Sequence, residues 1–294
     1  MYVGRGRRKY LTIIAFLAPT LVGFLIFSLT PMVRSFYLSF TAWNILQPPQ
    51  WAGLDNFRQL ISSEEFWRVM KNTALYIVLY LPLILVASLA VATLLNRTFR
   101  GVLAYKVLFF LPVLTSWVAG SLIWRWILNY KYGIVNVYLG YLGIHGPAWL
   151  DDPKWAMAGV VLASVWKDMG FFGLIFLAAL KGINHDYYEA AQIDGADGWR
   201  RFRHITLPLV SPTTFFVLVS CLINSFQVFT QVMVMTQAGP AGATQVIMER
   251  IYRYAFLYYK MGYAAALSWV LFIFIFAITW GQWRLQKKWV NYDA

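Results

Sequence analysis

Six apolar stretches, each long enough to cross a lipid bilayer, limit this chain more than any other feature. A bilayer core is spanned by about 20 consecutive apolar residues in helical form. Runs at roughly 10–30, 74–95, 105–128, 155–180, 210–236 and 263–283 reach that length. Lipid offers backbone N–H and C=O groups no partner, so each run must be a helix that satisfies its own hydrogen bonds. The expected fold class is an all-α membrane protein of six transmembrane helices in a single domain, 1–294. Pro19, Pro82 and Pro112 fall inside these runs, and neighbouring helices in a packed bundle re-satisfy the carbonyls they free.

With 60% hydrophobic and 13% charged residues, the composition leaves no soluble domain in which to place a net charge of +13. That argues against nucleic-acid binding. Lys and Arg gather instead in loops and set orientation. They are richer in the N-terminal tail, 97–106, 181–203 and the C-terminal tail than in 34–71, 131–154 and 250–260. Both termini are therefore expected in the cytoplasm, with 31–73 an outer loop long enough to carry short helices. The basic run Arg5-Gly6-Arg7-Arg8-Lys9 imitates a signal peptide, but the apolar segment behind it is too long for a cleaved core and reads as a retained span. Trp124, Arg125 and Trp126 read as interfacial anchors. One cysteine, Cys221, forms no internal disulfide, and three scattered histidines give no metal-ligand spacing. No GxxxxGK[ST] loop is present to hold a nucleotide.

Between the fourth and fifth runs lies a polar loop, 181–209. Its spacing predicts a short helix ending at Gly195, a turn, and a second short helix stopped near Pro208. Ala190 and Ala191 would let the first helix approach a partner closely, and Glu189 would offer a carboxylate to a partner arginine. Gly195 permits the positive φ that ends a helix. A solvated loop that happens to be helical fits the same residues.

The order Glu189-Ala190-Ala191, three residues, Gly195, nine residues, Ile205-Thr206-Leu207-Pro208 resembles the motif of bacterial and archaeal ABC-importer permeases. In its sugar-importer form the resemblance extends along the chain: Gly53-Leu54-Asp55-Asn56-Phe57, Gly133-Ile134-Val135-Asn136, Trp166-Lys167, Ile193-Asp194-Gly195-Ala196 and Ala255-Phe256. Ala238-Gly239-Pro240 departs from the Gly-Gly-Pro common in that family. The resemblance implies that 181–209 is a cytoplasmic coupling-helix loop, in which Glu189, Ala190, Ala191, Asp194, Gly195, Ile205, Leu207 and Pro208 meet a separate ATPase. It further implies a second, homologous permease subunit, two ATPase subunits that bind the ATP and Mg, an extracytoplasmic solute-binding protein, and a small carbohydrate as solute. This chain would bind no cofactor, perform no covalent chemistry, and reside in the cytoplasmic membrane of a bacterium or archaeon. Glycerol phosphate or another anionic organic solute is the nearest alternative cargo. A self-contained secondary transporter is the alternative from another class, and the absence of paired broken helices is expected to speak against it.

Polar residues inside membrane spans carry function by default. Ser220, Asn224 and Gln227 recur at i, i+4 and i+7, and so do Ser164, Asp168 and Phe171, with Lys167 beside them. Aligned through Trp166, Glu189 and Pro212, these seven positions match sugar-contacting positions of the maltose-type permease, which the resemblance implies as a substrate pathway. Amides and hydroxyls would bond sugar hydroxyls, and an aromatic ring would stack on the sugar's apolar face. Bonding between helices is the alternative role for Asn224 and Gln227. Lys167 and Asp168 are adjacent and need not form a pair.

Overall fold

The structure, a computed structural model, describes residues 7–291. Arg5 and Gly6 of the basic run lie outside the described residues. The chain divides into two compact units, one formed by residues up to Ser63 with Ile251–Val270 and the other by Glu64–Arg250 with the segment from Leu271.

In the first unit, α1 (Arg7–Phe24) passes through a π-helical turn at Leu25–Leu29 into α2 (Thr30–Ser39). Pro31 has no N–H to continue an ordinary turn. The widened turn precedes it, and the Thr30 hydroxyl donates to the Leu25 carbonyl at 2.7 Å. The helix therefore runs past the expected end at 30. After it, β1 (Thr41–Ala42) pairs antiparallel with β2 (Gln50–Trp51), Thr41 opposite Trp51 and Ala42 opposite Gln50. Gly53, at φ 55°, turns the chain into α3 (Asp55–Ser62). The Asn56 amide donates to the carbonyls of Ser39 and Thr41, both at 2.9 Å. Phe40 stacks on Trp51 and meets Phe57, with centroids 5.9 and 5.3 Å away. The segment that follows α2 thus does carry its own short helix.

The second unit opens with α4 (Glu64–Leu95), which starts ten residues before the expected 74. Glu64 and Glu65 in its first turn suit the positive end of the helix. The expected third span is two helices, α5 (Val102–Leu114) and α6 (Trp117–Ile127), bent by 104°. Thr115 and Ser116 are extended, and the Ser116 hydroxyl accepts from the Ala119 N–H at 3.2 Å, capping α6. A serine cap inside an apolar run starts a new helix there. Next come α7 (Ile134–Tyr141) and α8 (Ala156–Gly182).

The polar loop holds α9 (Asp186–Ile193), α10 (Gly198–Arg201), a π turn at Phe202–Thr206 and α11 (Leu207–Leu209). Here too a proline, Pro208, follows the wide turn, and the helix ends one residue beyond it at Leu209, near the expected stop, before the chain bends by 65°. The expected fifth span is interrupted as well: α12 (Ser211–Phe226) ends, 227–229 are not helical, and α13 (Thr230–Met235) resumes. Then follow α14 (Ile247–Tyr252) and α15 (Met261–Leu285). In the first unit, α15 comes so close to β1 at Gly262 that a Cβ there would strike the Thr41 carbonyl. Among the described residues four helices are long and apolar enough to cross a membrane, or six if each bent pair is one span.

The core of the second unit is α8 laid along α4, with α5 on another face of α8. Small residues let the backbones approach. Gly170 sits where a Cβ would run into the Phe109 carbonyl of α5, and Gly173 faces Val91 of α4. Far from that seam, Gly182 has open space around it. We predict opposite outcomes for one substitution at these two sites. Gly170→Ala lowers the thermal midpoint of the purified protein, because overpacking costs about 1–3 kcal/mol, whereas Gly182→Ala leaves it unchanged or slightly raised.

Candidate functional site

Asp168, Asn224 and Gln227 line one cavity of about 290 Å³. Asp168 projects from the middle of α8, Asn224 from the last turn of α12, and Gln227 is the first residue past that helix. The non-helical stretch 227–229 completes this wall. Irregular backbone at membrane depth survives only where protein or a water-filled cavity surrounds it. Two residues of α4 close another side. The Tyr80 hydroxyl donates to Asp168 Oδ2 at 2.7 Å, and Tyr76 stacks on Tyr80 with centroids 5.4 Å apart.

The other expected pathway residues lie elsewhere. Ser164 is fully buried behind the cavity; its hydroxyl donates to the Val160 carbonyl at 2.9 Å and accepts from Gln231, a lining residue, at 3.3 Å. Ser220 and Phe171 are not part of the lining, and Phe171 is half exposed, edge-on to Phe172. Lys167 points away from Asp168 to the broken span. Its Nζ donates to the carbonyls of Pro112, Val113 and Thr115 at 3.2, 3.2 and 2.7 Å and lies 5.0 Å from the Trp117 ring centre. Three carbonyls use the three donors of one lysine head group. Trp124, read as an interfacial anchor, packs edge-on against Trp166 at 5.8 Å.

Asn224 and Gln227 are exposed, and their carboxamides have no protein partner among the described residues. In this conformation they do not bond helix to helix. Tyr76, Tyr80 and Gln231 were not singled out from the sequence. Their signal was available, because tyrosines at i and i+4 and a lone glutamine within apolar runs are costly unless they face a polar interior.

The polar loop has the other notable geometry. Gly195 is left-handed at φ 76°. The Ala196 N–H bonds the Ala191 carbonyl at 2.9 Å, and the Gly195 N–H bonds that of Gln192 at 3.1 Å. This is the paired C-cap that glycine favours. The Asp197 carboxylate then caps α10 through the Arg200 N–H at 2.7 Å, and the Tyr188 hydroxyl meets that of Thr206 at 3.0 Å. No residue of α9 is buried, and Ile193 is 87% exposed. Glu189, Ala190, Asp194 and Leu207 are exposed too, while Ala191, Ile205 and Pro208 are half-buried.

Residues 66–290 match the family described as the binding-protein-dependent transport system inner membrane component. The chain belongs to that family. It is 36% identical over 293 residues to the "Probable ABC transporter permease protein YesP" of Bacillus subtilis, covering 98% of this chain and 94% of that one. To the lactose transport system permease protein LacF of Rhizobium radiobacter it is 31% identical over 282 residues, 93% of each chain. Among solved structures it superposes on a chain of a bacterial alginate ABC transporter in complex with an alginate pentasaccharide-bound periplasmic protein. The TM-score is 0.83 at 28% identity, covering 96% of both chains. This permease is thus a membrane-embedded transport subunit and not an enzyme. Its spans are broken where unbroken helices were expected, so helix continuity does not separate it from self-contained transporters. Family membership does.

For this permease, the geometry separates Lys167 from the cavity. Lys167→Met removes the lysine donor from three carbonyls, of which Pro112 keeps the Thr115 N–H and hydroxyl, at a cost of about 1.5–3 kcal/mol. We expect a lower thermal midpoint and assembly yield, with unchanged half-saturation for solute uptake per assembled complex. A shifted half-saturation would return Lys167 to the pathway.

Proposed function

We propose that this permease is a transmembrane subunit of an ATP-driven, binding-protein-dependent sugar importer, and that its solute passes by Asp168, Asn224 and Gln227. One observation carries the pathway. Two carboxamides lie unpartnered in a cavity beside a carboxylate, at a break in a membrane helix. Such groups are costly against lipid and against a closed core alike. Facing water and sugar hydroxyls, they are satisfied at each stage. Ser164 and Gln231 hold the cavity wall, with Ser220 and Phe171 along the route in other conformations. Relatives named for lactose and alginate support a sugar as cargo.

In this reading, the exposed face of α9 docks on an ATPase subunit. Two ATPase chains bind ATP and Mg, a second permease subunit completes the channel, and an extracytoplasmic binding protein delivers the solute. Both termini then lie in the cytoplasm of a bacterium or archaeon, with 31–73 outside. Glu189, Ala190, Ala191 and Asp194 meet the ATPase, while Gly195 fixes the loop and Ile205, Leu207 and Pro208 join it to α12. The rigid cap at Gly195 suits a lever, because a floppy loop would absorb the motion it should pass on.

Two experiments test the two halves. Gly195→Pro demands φ near −65° where the chain holds +76° and removes the N–H bonded to Gln192. It should abolish solute-stimulated ATP hydrolysis while the exposed position leaves membrane insertion intact; unchanged transport would refute coupling through this loop. Asn224→Leu and Gln227→Leu should each insert well and raise the half-saturation for uptake by roughly 2–10-fold. That range corresponds to a neutral hydrogen bond worth about 0.5–1.5 kcal/mol. Normal affinity and rate in both variants would remove them from the route.

A further inference from the structure

A second polar cavity lies wholly within the first unit. About 300 Å³ in volume, it opens between the 43–50 loop, α3 and the start of α15. A neighbouring cavity of about 250 Å³ shares Gln59, Lys260 and Tyr263 with it. Such volumes lie at the small end of ligand pockets.

The chemistry of the lining is uneven in an informative way. Gln47, Gln50 and Gln59 contribute carboxamides with no protein partner among the described residues. Lys260 is exposed and forms no ion pair among the described residues, and neither cavity is lined by an aspartate or glutamate. Aromatic rings stand beside them at Trp43, Tyr259 and Tyr263. Amides match hydroxyls as both donor and acceptor, rings stack on the apolar face of a sugar, and a lone lysine calls for an anionic group.

The frame is also built under strain. Ile45 and Tyr259 both hold positive φ, 70° and 54°. For a β-branched and a bulky aromatic residue these are outliers that only an over-determined surrounding maintains. Asn56 commits its amide nitrogen to Ser39 and Thr41, so it holds the floor of the cavity and leaves its oxygen. Pro48 and Pro49 stiffen the facing loop.

We propose that this cleft is a solute subsite for a sugar bearing a carboxylate, a uronate-type saccharide, with the carboxylate on Lys260 and the hydroxyls on Gln47, Gln50 and Gln59. The subsite rests on the reading of this chain as a sugar-importer permease with 31–73 outside. It names an acidic saccharide as the solute class and assigns the outer loop a ligand of its own.

The test uses the full chain in its assembled complex, reconstituted in lipid nanodiscs, with titration calorimetry. Digalacturonate is the probe, and lactose and inorganic phosphate are the comparisons. Digalacturonate should bind roughly tenfold or more tightly than lactose, because one charge-assisted bond separates them. Lys260→Met should reduce digalacturonate binding to the lactose level, and Lys260→Arg should keep most of it. Gln59→Leu, which leaves the lysine in place, should weaken both sugars several-fold. Equal binding of the two sugars by the wild type, or no change in Lys260→Met, overturns the subsite. Phosphate binding as tightly as digalacturonate also overturns it, leaving a simple anion site. Solute-stimulated ATP hydrolysis in the same preparations keeps the two readings apart. Normal stimulation with unchanged digalacturonate binding in Lys260→Met removes the subsite and keeps the permease reading. Failure of any ATPase chain to co-purify with the wild type overturns the ATP-driven importer reading instead.

Discussion

The 104° bend between α5 and α6 exposes carbonyls that no lipid can satisfy, and Lys167 of α8 supplies the missing donors. The Pro112 carbonyl also accepts from the Thr115 N–H and hydroxyl, at 3.2 and 2.7 Å. Without the lysine the loss therefore falls on the carbonyls of Val113 and Thr115, and a polar group left without a partner away from water costs several kcal/mol. The bend in turn sets where Trp117 and the start of α6 lie, and Trp117 lines the cavity. Adjacent residues on α8 thus divide the work. Lys167 holds the broken helix together, and Asp168, rotated by one position, faces the opening that the break creates.

Close packing makes this division possible. Gly170 and Gly173 bring α8 against α5 and α4 at backbone distance, which leaves little room for large side chains on that face. The polar groups that remain are sorted into two kinds. Ser164, Lys167 and Tyr80 are spent on partners within the protein. Asn224 and Gln227 are not. A packed membrane protein rewards the first kind with stability and penalises the second, so unspent amides at a helix break need a reason outside the chain itself.

Much of this was legible in the sequence, and the losses have a common cause. Apolar run length gave six candidate spans, and the Gly195 turn was readable because a glycine separated by three residues from an Ala-Ala pair has a local, backbone-level meaning. Helical spacing put Asn224 with Gln227 on one span, and only the family resemblance set Asp168 of another span beside them. Run length, however, averages over the very residues that break a helix. Pro112, Thr115 and Ser116 sat inside an apolar stretch that looked continuous, while their local chemistry, a proline followed by a serine cap, described a stop and a restart. Pro208 marked a true stop: after a π turn the helix ends one residue past it, at Leu209. Lys167 was beyond the sequence because its partners are the backbone of another helix 52 to 55 residues away, and backbone carbonyls carry no side-chain signature.

Breaks in two spans also create a structural correspondence. The second halves, α6 and α13, pack against each other, while the first halves, α5 and α12, pack on α8 and α4. The half-helices beyond the breaks therefore form their own contact, and each also touches α8. An element joined to its support by extended or non-helical residues, as at 115–116 and 227–229, can tilt by changing a few backbone torsions and leave helical hydrogen bonds intact. Hinge positions of this kind absorb the motion of packed pieces at low cost. The cavity lies at those joints, lined by Trp117 on one side of the first break and by Asn224 and Gln227 at the second. Trp117 of α6 and Thr230 and Gln231 of α13 line it from one side of those joints, and Tyr76 and Tyr80 of α4 with Asp168 of α8 from the other.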